Sequence, residues 1–142
     1  KILPKYIDVF PINKNQITDS ILSNKSNLKK IVKIVHSEVR KKMWLFIKKN
    51  KNKKVLVFDI PLLLENKISD KSFVLVFVDS KKSDILKRLK NRPNYNKKLL
   101  EKFKKIQFSL EYKKRKSQFV IKNKFSKKSV KTSVNSILKK IL

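Results

Sequence analysis

Three β-favouring runs in this chain each end on a residue able to orient a ligand. Val55-Leu-Val-Phe58 runs into Asp59, Phe73-Val-Leu-Val-Phe-Val78 into Asp79, and Gln118-Phe-Val-Ile-Lys122 into Asn123. An acid in such a place can help hold a cation through water, or it can simply end the strand and cap the next turn. Arg88 and Arg92 stand one helical turn apart, just ahead of Pro93. A guanidinium there can support charge developing on an anion, or it can complement the end of a helix. His36 and Arg40 are likewise one turn apart, and Glu65 closes the apolar segment Ile60-Pro61-Leu62-Leu63-Leu64 that follows Asp59. Such an acid could orient a neighbouring cation or a hydroxyl, whereas the apolar residues beside it are core by default.

The elements that position these residues alternate helix and strand. Leu28, Ile31, Val32, Val35, Val39, Met43 and Phe46 recur at steps of three and four, which predicts a long amphipathic helix over 27–49 with Ser26 or Asn27 as its cap. The runs at 55–58 and 73–78 lack the polar alternation of half-exposed strands and predict buried strands of a parallel sheet covered on both faces. A short helix over 82–91 follows, with Ile85, Leu86 and Leu89 inward. A further helical stretch begins at Asn96 and carries Leu99, Phe103, Ile106 and Leu110 on one face. The strand 118–122 leads to a last helix capped by Ser126, with Val130, Val134, Ile137, Leu138 and Ile141 inward. This order fits an open α/β sheet, whose ligands bind at the carboxyl ends of the strands.

Composition narrows the chemistry. There is no Cys and one His, which excludes disulfides, thiolate metal sites and multi-histidine sites. A reducing, cytoplasmic setting is the expected one. No apolar run reaches the roughly 18 residues that span a bilayer, and the opening Lys-Ile-Leu-Pro-Lys is unlike a signal peptide. The formal charge of +29 suggests nucleic acid at first sight. However, 35 of the 39 basic residues are Lys, spread along the whole chain, whereas bidentate recognition favours the planar Arg fork. Dispersed lysines are expected to be a solvated surface, without specific nucleic-acid recognition. Gly is absent, so no Gly-rich phosphate loop lies in these 142 residues.

Asp59-Ile-Pro-Leu-Leu-Leu-Glu65 resembles the strand and Pro-Leu-Leu-x-Glu pattern of the dephospho-coenzyme A kinase family. Other segments resemble that family in the same order. His36-Ser-Glu-Val-Arg40 is similar to its His-Pro-Leu-Ile-Arg segment, and Phe73-Val-Leu-Val-Phe-Val-Asp79 to its next strand. Ile85-Leu-Lys-Arg-Leu-Lys-Asn-Arg92 is similar to its two-arginine stretch, and Gln107, Lys113 and Phe119-Val-Ile-Lys-Asn123 to its lid and closing strand. The chain departs from the pattern at Ser37, Pro93 and Ser117-Gln118, where the family usually has Pro, Asp and Ala-Asp.

The resemblance implies an α/β, P-loop NTPase-like fold, a three-layer parallel sheet with a helical lid, truncated so that the first βα unit would precede Lys1. Residues 1–93 would be kinase core and acceptor-binding helices, 94–116 the lid, and 117–142 the closing strand and last helix. The implied reaction is ATP-dependent phosphorylation of the ribose 3′-hydroxyl of dephospho-coenzyme A, with ATP and Mg²⁺ as cofactors and these small molecules as partners. Arg92 is implied as the catalytic residue at the phosphates. His36, Arg40, Asp59, Pro61, Leu62, Leu63 and Glu65 fall on the acceptor side, and Arg88, Arg92, Gln107, Lys113 and Asn123 on the nucleotide side. No residue is implied as a direct metal ligand. The family's Walker loop and its Asp-Ala-Asp segment, source of the expected base, have no counterpart here, so these 142 residues alone are expected to be inactive. Another small-molecule P-loop kinase, such as one for nucleoside monophosphates, and a basic nucleic-acid module remain the alternatives.

Overall fold

Asparagines set the first two helices. Asn13 accepts from the Asn15 N–H at 2.8 Å and caps α1 (Lys14–Ser23), satisfying a donor that a helix start leaves open. Asn24, extended at φ −138°, ends α1 and caps α2 (Lys25–Lys49) by accepting from the Ser26 N–H at 2.8 Å. Ser26 and Asn27, expected as caps, therefore lie inside the first turn. The structure, a computed structural model, describes residues 11–69 and 71–142; the opening Lys-Ile-Leu-Pro-Lys run lies outside them.

The chain clusters into two units. The described part of the first runs to Asp59 and takes in Asn96–Lys105, which includes α4 (Lys97–Lys105). Its core holds Ile21, Leu28 and Met43. The buried Asn27 ties α2 to α1 by donating to the Ser20 carbonyl at 2.9 Å and to its hydroxyl at 3.2 Å. Lys102 of α4 donates to the carbonyls of Ile21 and Leu22 at 2.6 and 3.0 Å, a cation on the carboxyl end of α1. α1 escapes hydrophobic periodicity because only Ile17, Ile21 and Leu22 are apolar in its ten residues.

Of the stripe expected on α2, Leu28 and Met43 are buried and Ile31, Val32 and Val39 half-buried, while Val35 and Phe46 are about half exposed and the polar His36 beside Val35 is buried. Val55–Phe58, expected as a buried strand, belongs to no sheet among the described residues, and Val57 is 83% exposed. Strand geometry needs a ladder partner for the backbone N–H and C=O groups. The Phe58 ring meets Phe46 edge to face, centroids 5.7 Å apart.

The second unit comprises Ile60–Tyr95 and Ile106–Leu142. It contains β1 (Val76–Asp79) and β2 (Phe119–Lys122), paired in parallel with Val76 opposite Phe119 and Asp79 opposite Lys122. The Gln118 side chain extends the ladder by accepting from the Leu75 N–H at 2.7 Å. A parallel pair needs a long crossover. Within this unit it includes α3 (Lys82–Lys90) and α5 (Leu110–Lys116), and α6 (Lys127–Ile141) then packs on β2.

Coverage on both faces is not seen in the described sheet. Burial alternates along β1, leaving Val76 and Val78 exposed, because two strands offer few neighbours and α6 covers β2. Ile85 and Leu86 of α3, and Val134 and Ile141 of α6, are likewise more exposed than expected.

The helix expected from Asn96 through Leu110 is two helices. Phe108 turns its N–H out of helical register and donates it to the Glu65 carboxylate at 2.9 Å. Ser109 then caps α5 by accepting from the Tyr112 N–H at 3.2 Å. A local side-chain acceptor competes with helix continuation at this point.

Candidate functional site

Both strands of the second unit end on the same edge, and their last residues are linked there. The Asn123 N–H donates to the Asp79 carbonyl at 2.7 Å, one rung beyond the ladder. The Asn123 side chain accepts from the Phe125 N–H at 2.8 Å, fixing the turn into α6. Lys114 of α5 brings its ammonium to 3.8 Å from the Asp79 carboxylate, an open pair of little energetic weight. Arg88 on α3 lies over the Phe125 ring, its guanidinium carbon 3.9 Å from the centroid.

The second feature of this unit is the tie between Glu65 and α5. Pro61 begins a turn in which Leu62 has φ 56° and accepts at its carbonyl from Asn66, backbone at 3.1 Å and side chain at 2.9 Å. Ile68 closes the turn by donating to the Leu63 carbonyl at 3.1 Å and is itself buried. This winding places Glu65 with its side chain 8% exposed and its Oε1 atom 2.7 Å from Lys113 Nζ. Burial pushes the Glu65 carboxyl up, but the hydrogen bonds from Lys113 and from backbone N–H groups, with the attraction of Lys113, outweigh it. The net result is a pKa below the ordinary 4.5, so the carboxylate is charged at neutral pH.

The expected site residues therefore fall into groups. Glu65 and Lys113 meet directly, and Asn123 shares the strand edge with Asp79, where Arg88 stacks on Phe125. Arg92 is exposed in the turn after α3, donating its N–H to the Leu89 carbonyl at 3.2 Å, and Gln107 is exposed between α4 and α5. Pro61 is exposed, and Leu62 and Leu63 are half-buried. His36, Arg40 and Asp59 belong to the first unit. His36 is 7% exposed, with a buried Nδ1 that has no hydrogen-bond partner among the described residues, and Asp59 is exposed.

The sequence profile described as Dephospho-CoA kinase matches residues 10–129. The chain belongs to the dephospho-CoA kinase family. A Dephospho-CoA kinase of Wolbachia pipientis wMel is 33% identical over 129 residues, 89% of this chain and 66% of its own length. One from Wolbachia sp. subsp. Brugia malayi is 31% identical over 129 residues, covering 89% of this chain and 66% of its own. One from Fusobacterium nucleatum subsp. nucleatum is 32% identical over 112 residues, 79% of this chain and 58% of its own. The chain thus spans about two thirds or less of the length of these curated relatives.

Within this dephospho-CoA kinase family chain, sequence reasoning did not anticipate Phe108, Lys114 or Phe125 as parts of the site. Ser109 followed by Leu-Glu-Tyr is a helix-start signal that could have located the break beside Phe108. Lys114 is one of many lysines, and nothing in its neighbours singles it out. Among the described residues no group of three His, Asp or Glu side chains could cage a metal. Mg²⁺ in phosphoryl-transfer sites rests mainly on phosphate oxygens and water with one or two carboxylates, and the exposed Asp59 suits that limited role.

Proposed function

We propose that this chain contributes the acceptor and lid parts of an enzyme that moves the γ-phosphoryl group of ATP onto the ribose 3′-hydroxyl of dephospho-CoA. The observation that carries this reading is the family match over residues 10–129. In the transfer, the 3′-hydroxyl gives its proton to a carboxylate base that these 142 residues do not supply, its oxygen forms a bond to the γ-phosphorus, the bond from that phosphorus to the β–γ bridging oxygen breaks, and ADP leaves with the electron pair. Arg92 offsets charge on the equatorial oxygens, and Lys113, oriented by Glu65, supports the phosphates. Arg88, Gln107 and Asn123 serve the nucleotide, while His36, Arg40, Pro61, Leu62 and Leu63 line the acceptor side. Asp59 would help hold Mg²⁺ through water, as a carboxylate at the end of such a run can. Mg²⁺, when bound with ATP, neutralises phosphate charge.

The working sheet on this reading is the three-layer P-loop type, completed by a strand and a Gly-rich loop. These 142 residues contain no Gly, so as an isolated polypeptide they are inactive. ADP release coupled to dephospho-CoA consumption is the test. The native gene product should turn over at about 1–100 per second, with product phosphorylated at the 3′ position. Phosphorylation of nucleoside monophosphates in preference to dephospho-CoA would overturn the substrate assignment, and turnover by the 142-residue polypeptide alone would overturn its inactivity.

A further inference from the structure

We propose that Glu65 couples the two substrates, acting as a positioning residue that transmits occupancy of the acceptor wall to Lys113 on the phosphate side. The inference rests on the function proposed above and adds to it a mutual dependence of acceptor and nucleotide binding. Leu62 and Leu63, assigned there to the acceptor, belong to the turn that ends on Glu65. Leu62 has φ 56°, a region that side chains larger than Asn avoid, so the turn needs restraint from its surroundings. Asn66 supplies it, donating to the Leu62 carbonyl from its backbone at 3.1 Å and from its side chain at 2.9 Å. The buried Ile68 adds a bond to the Leu63 carbonyl at 3.1 Å.

The far end of the turn governs the nucleotide side. Glu65 Oε1 accepts from Lys113 Nζ at 2.7 Å and from the Phe108 N–H at 2.9 Å, so one carboxylate oxygen fixes both the start of α5 and the direction of its lysine. The next residue shows the contrast. Lys114 stands 3.8 Å from the Asp79 carboxylate with its side chain 54% exposed, a loose pair beside a tight one. Lys113 can support a phosphate only where Glu65 leaves it, and Glu65 keeps its place only while the turn stays wound. An acceptor resting on Leu62 and Leu63 favours the wound turn. The ordering that ATP would otherwise have to impose on α5 is then already made, and ATP in turn holds the turn for the acceptor. Such coupling is reciprocal, one factor serving both ligands.

The test uses the native gene product and titrates dephospho-CoA calorimetrically with and without the β,γ-imido analogue of ATP. The analogue should tighten dephospho-CoA binding roughly tenfold, inside the range of about 5–150-fold usual for linked sites, and dephospho-CoA should tighten the analogue by the same factor. Glu65→Gln keeps an acceptor for the Phe108 N–H but loses its grip on Lys113, and should reduce the factor to about twofold or less. Lys113→Met breaks the link from its other end and should do likewise. A merely structural Glu65 would instead weaken each ligand alone and leave the factor standing. In the unaltered protein, dephospho-CoA alone should slow hydrogen exchange at the Phe108 amide. Tenfold coupling that survives in either variant overturns the inference, as does independent binding of the two ligands to the unaltered protein, and both results leave the proposed function in place. If Glu65→Gln fails to fold, Lys113→Met and the Phe108 exchange decide. Failure of the unaltered protein to bind dephospho-CoA overturns the proposed function and this inference together.

Discussion

Removing Lys113 should cost more stability than its surface position suggests, because the cost is set by the carboxylate it leaves behind. Glu65 Oε1 accepts from Lys113 Nζ at 2.7 Å and from the Phe108 N–H at 2.9 Å, and the Glu65 side chain is 8% exposed against 20% for Lys113. Breaking a fully buried ion pair costs about 3–5 kcal/mol, and an exposed pair is worth about 0–1 kcal/mol. Water reaches the lysine end here, so Lys113→Met should cost about 2 kcal/mol, between those limits. Glu65→Gln keeps an oxygen for Phe108 and loses only the charge-assisted part, about 1 kcal/mol. Once the carboxylate is gone, Lys113→Met has little left to remove. The double variant should therefore be about 1–2 kcal/mol more stable than the sum of the single losses predicts. Urea unfolding at pH 7 with unchanged slope measures all four corners of this cycle. A coupling energy below about 0.5 kcal/mol, within the scatter of independent sites, would refute the idea that Glu65 organises the start of α5.

The same carboxylate gives a pH signature. Its folded-state pKa lies below the ordinary 4.5, so its stabilisation is fully present above about pH 4.5 and is lost as pH falls through the lower folded value; Glu65→Gln should remove that part of the acid limb in melting-temperature profiles, and an unchanged limb would contradict the assignment. For the native gene product, Arg92→Ala should lower kcat by roughly 10²-fold, the scale of one lost electrostatic donor, measured by coupled ADP release; unaltered kcat would remove Arg92 from the phosphates. His36→Leu discards a buried Nδ1 that has no partner among the described residues, so stability should change by less than about 1 kcal/mol. It should nevertheless raise KM for dephospho-CoA, and an unaltered KM would leave His36 with packing alone.

How far the sequence could be read depended on how many partners each segment requires. β1, β2, α3 and α6 were legible because a short apolar run between turn residues, or a capped apolar stripe, constrains itself locally. The face of α2 was legible in part: Leu28 and Met43 of its apolar stripe are buried, but Val35 is half exposed while its polar neighbour His36 is buried, a difference of one position that spacing does not decide. Val55–Phe58 has the composition of a strand, but strand formation is a property of two chains of backbone groups, and among the described residues the segment belongs to no sheet.

The site divides in the same way. Glu65 could be recognised as an acid able to orient a cation, yet its choice of Lys113, 48 positions on, depends on the turn at Leu62 and on the break that starts α5. Phe125 lies at the limit of sequence reading. Phenylalanine is not a residue that announces a positive φ, as Gly or Asn would, and its neighbours Lys124 and Ser126 suggest an ordinary polar turn. Its meaning comes from a hydrogen bond to Asn123 and a cation brought from α3, 37 residues earlier. Residues that break a local rule without local recompense are where an active edge should be sought, because the compensation must come from elsewhere in the fold or from a ligand. Phe125 meets that description, its ring answered by the Arg88 guanidinium brought from α3 and its backbone by Asn123.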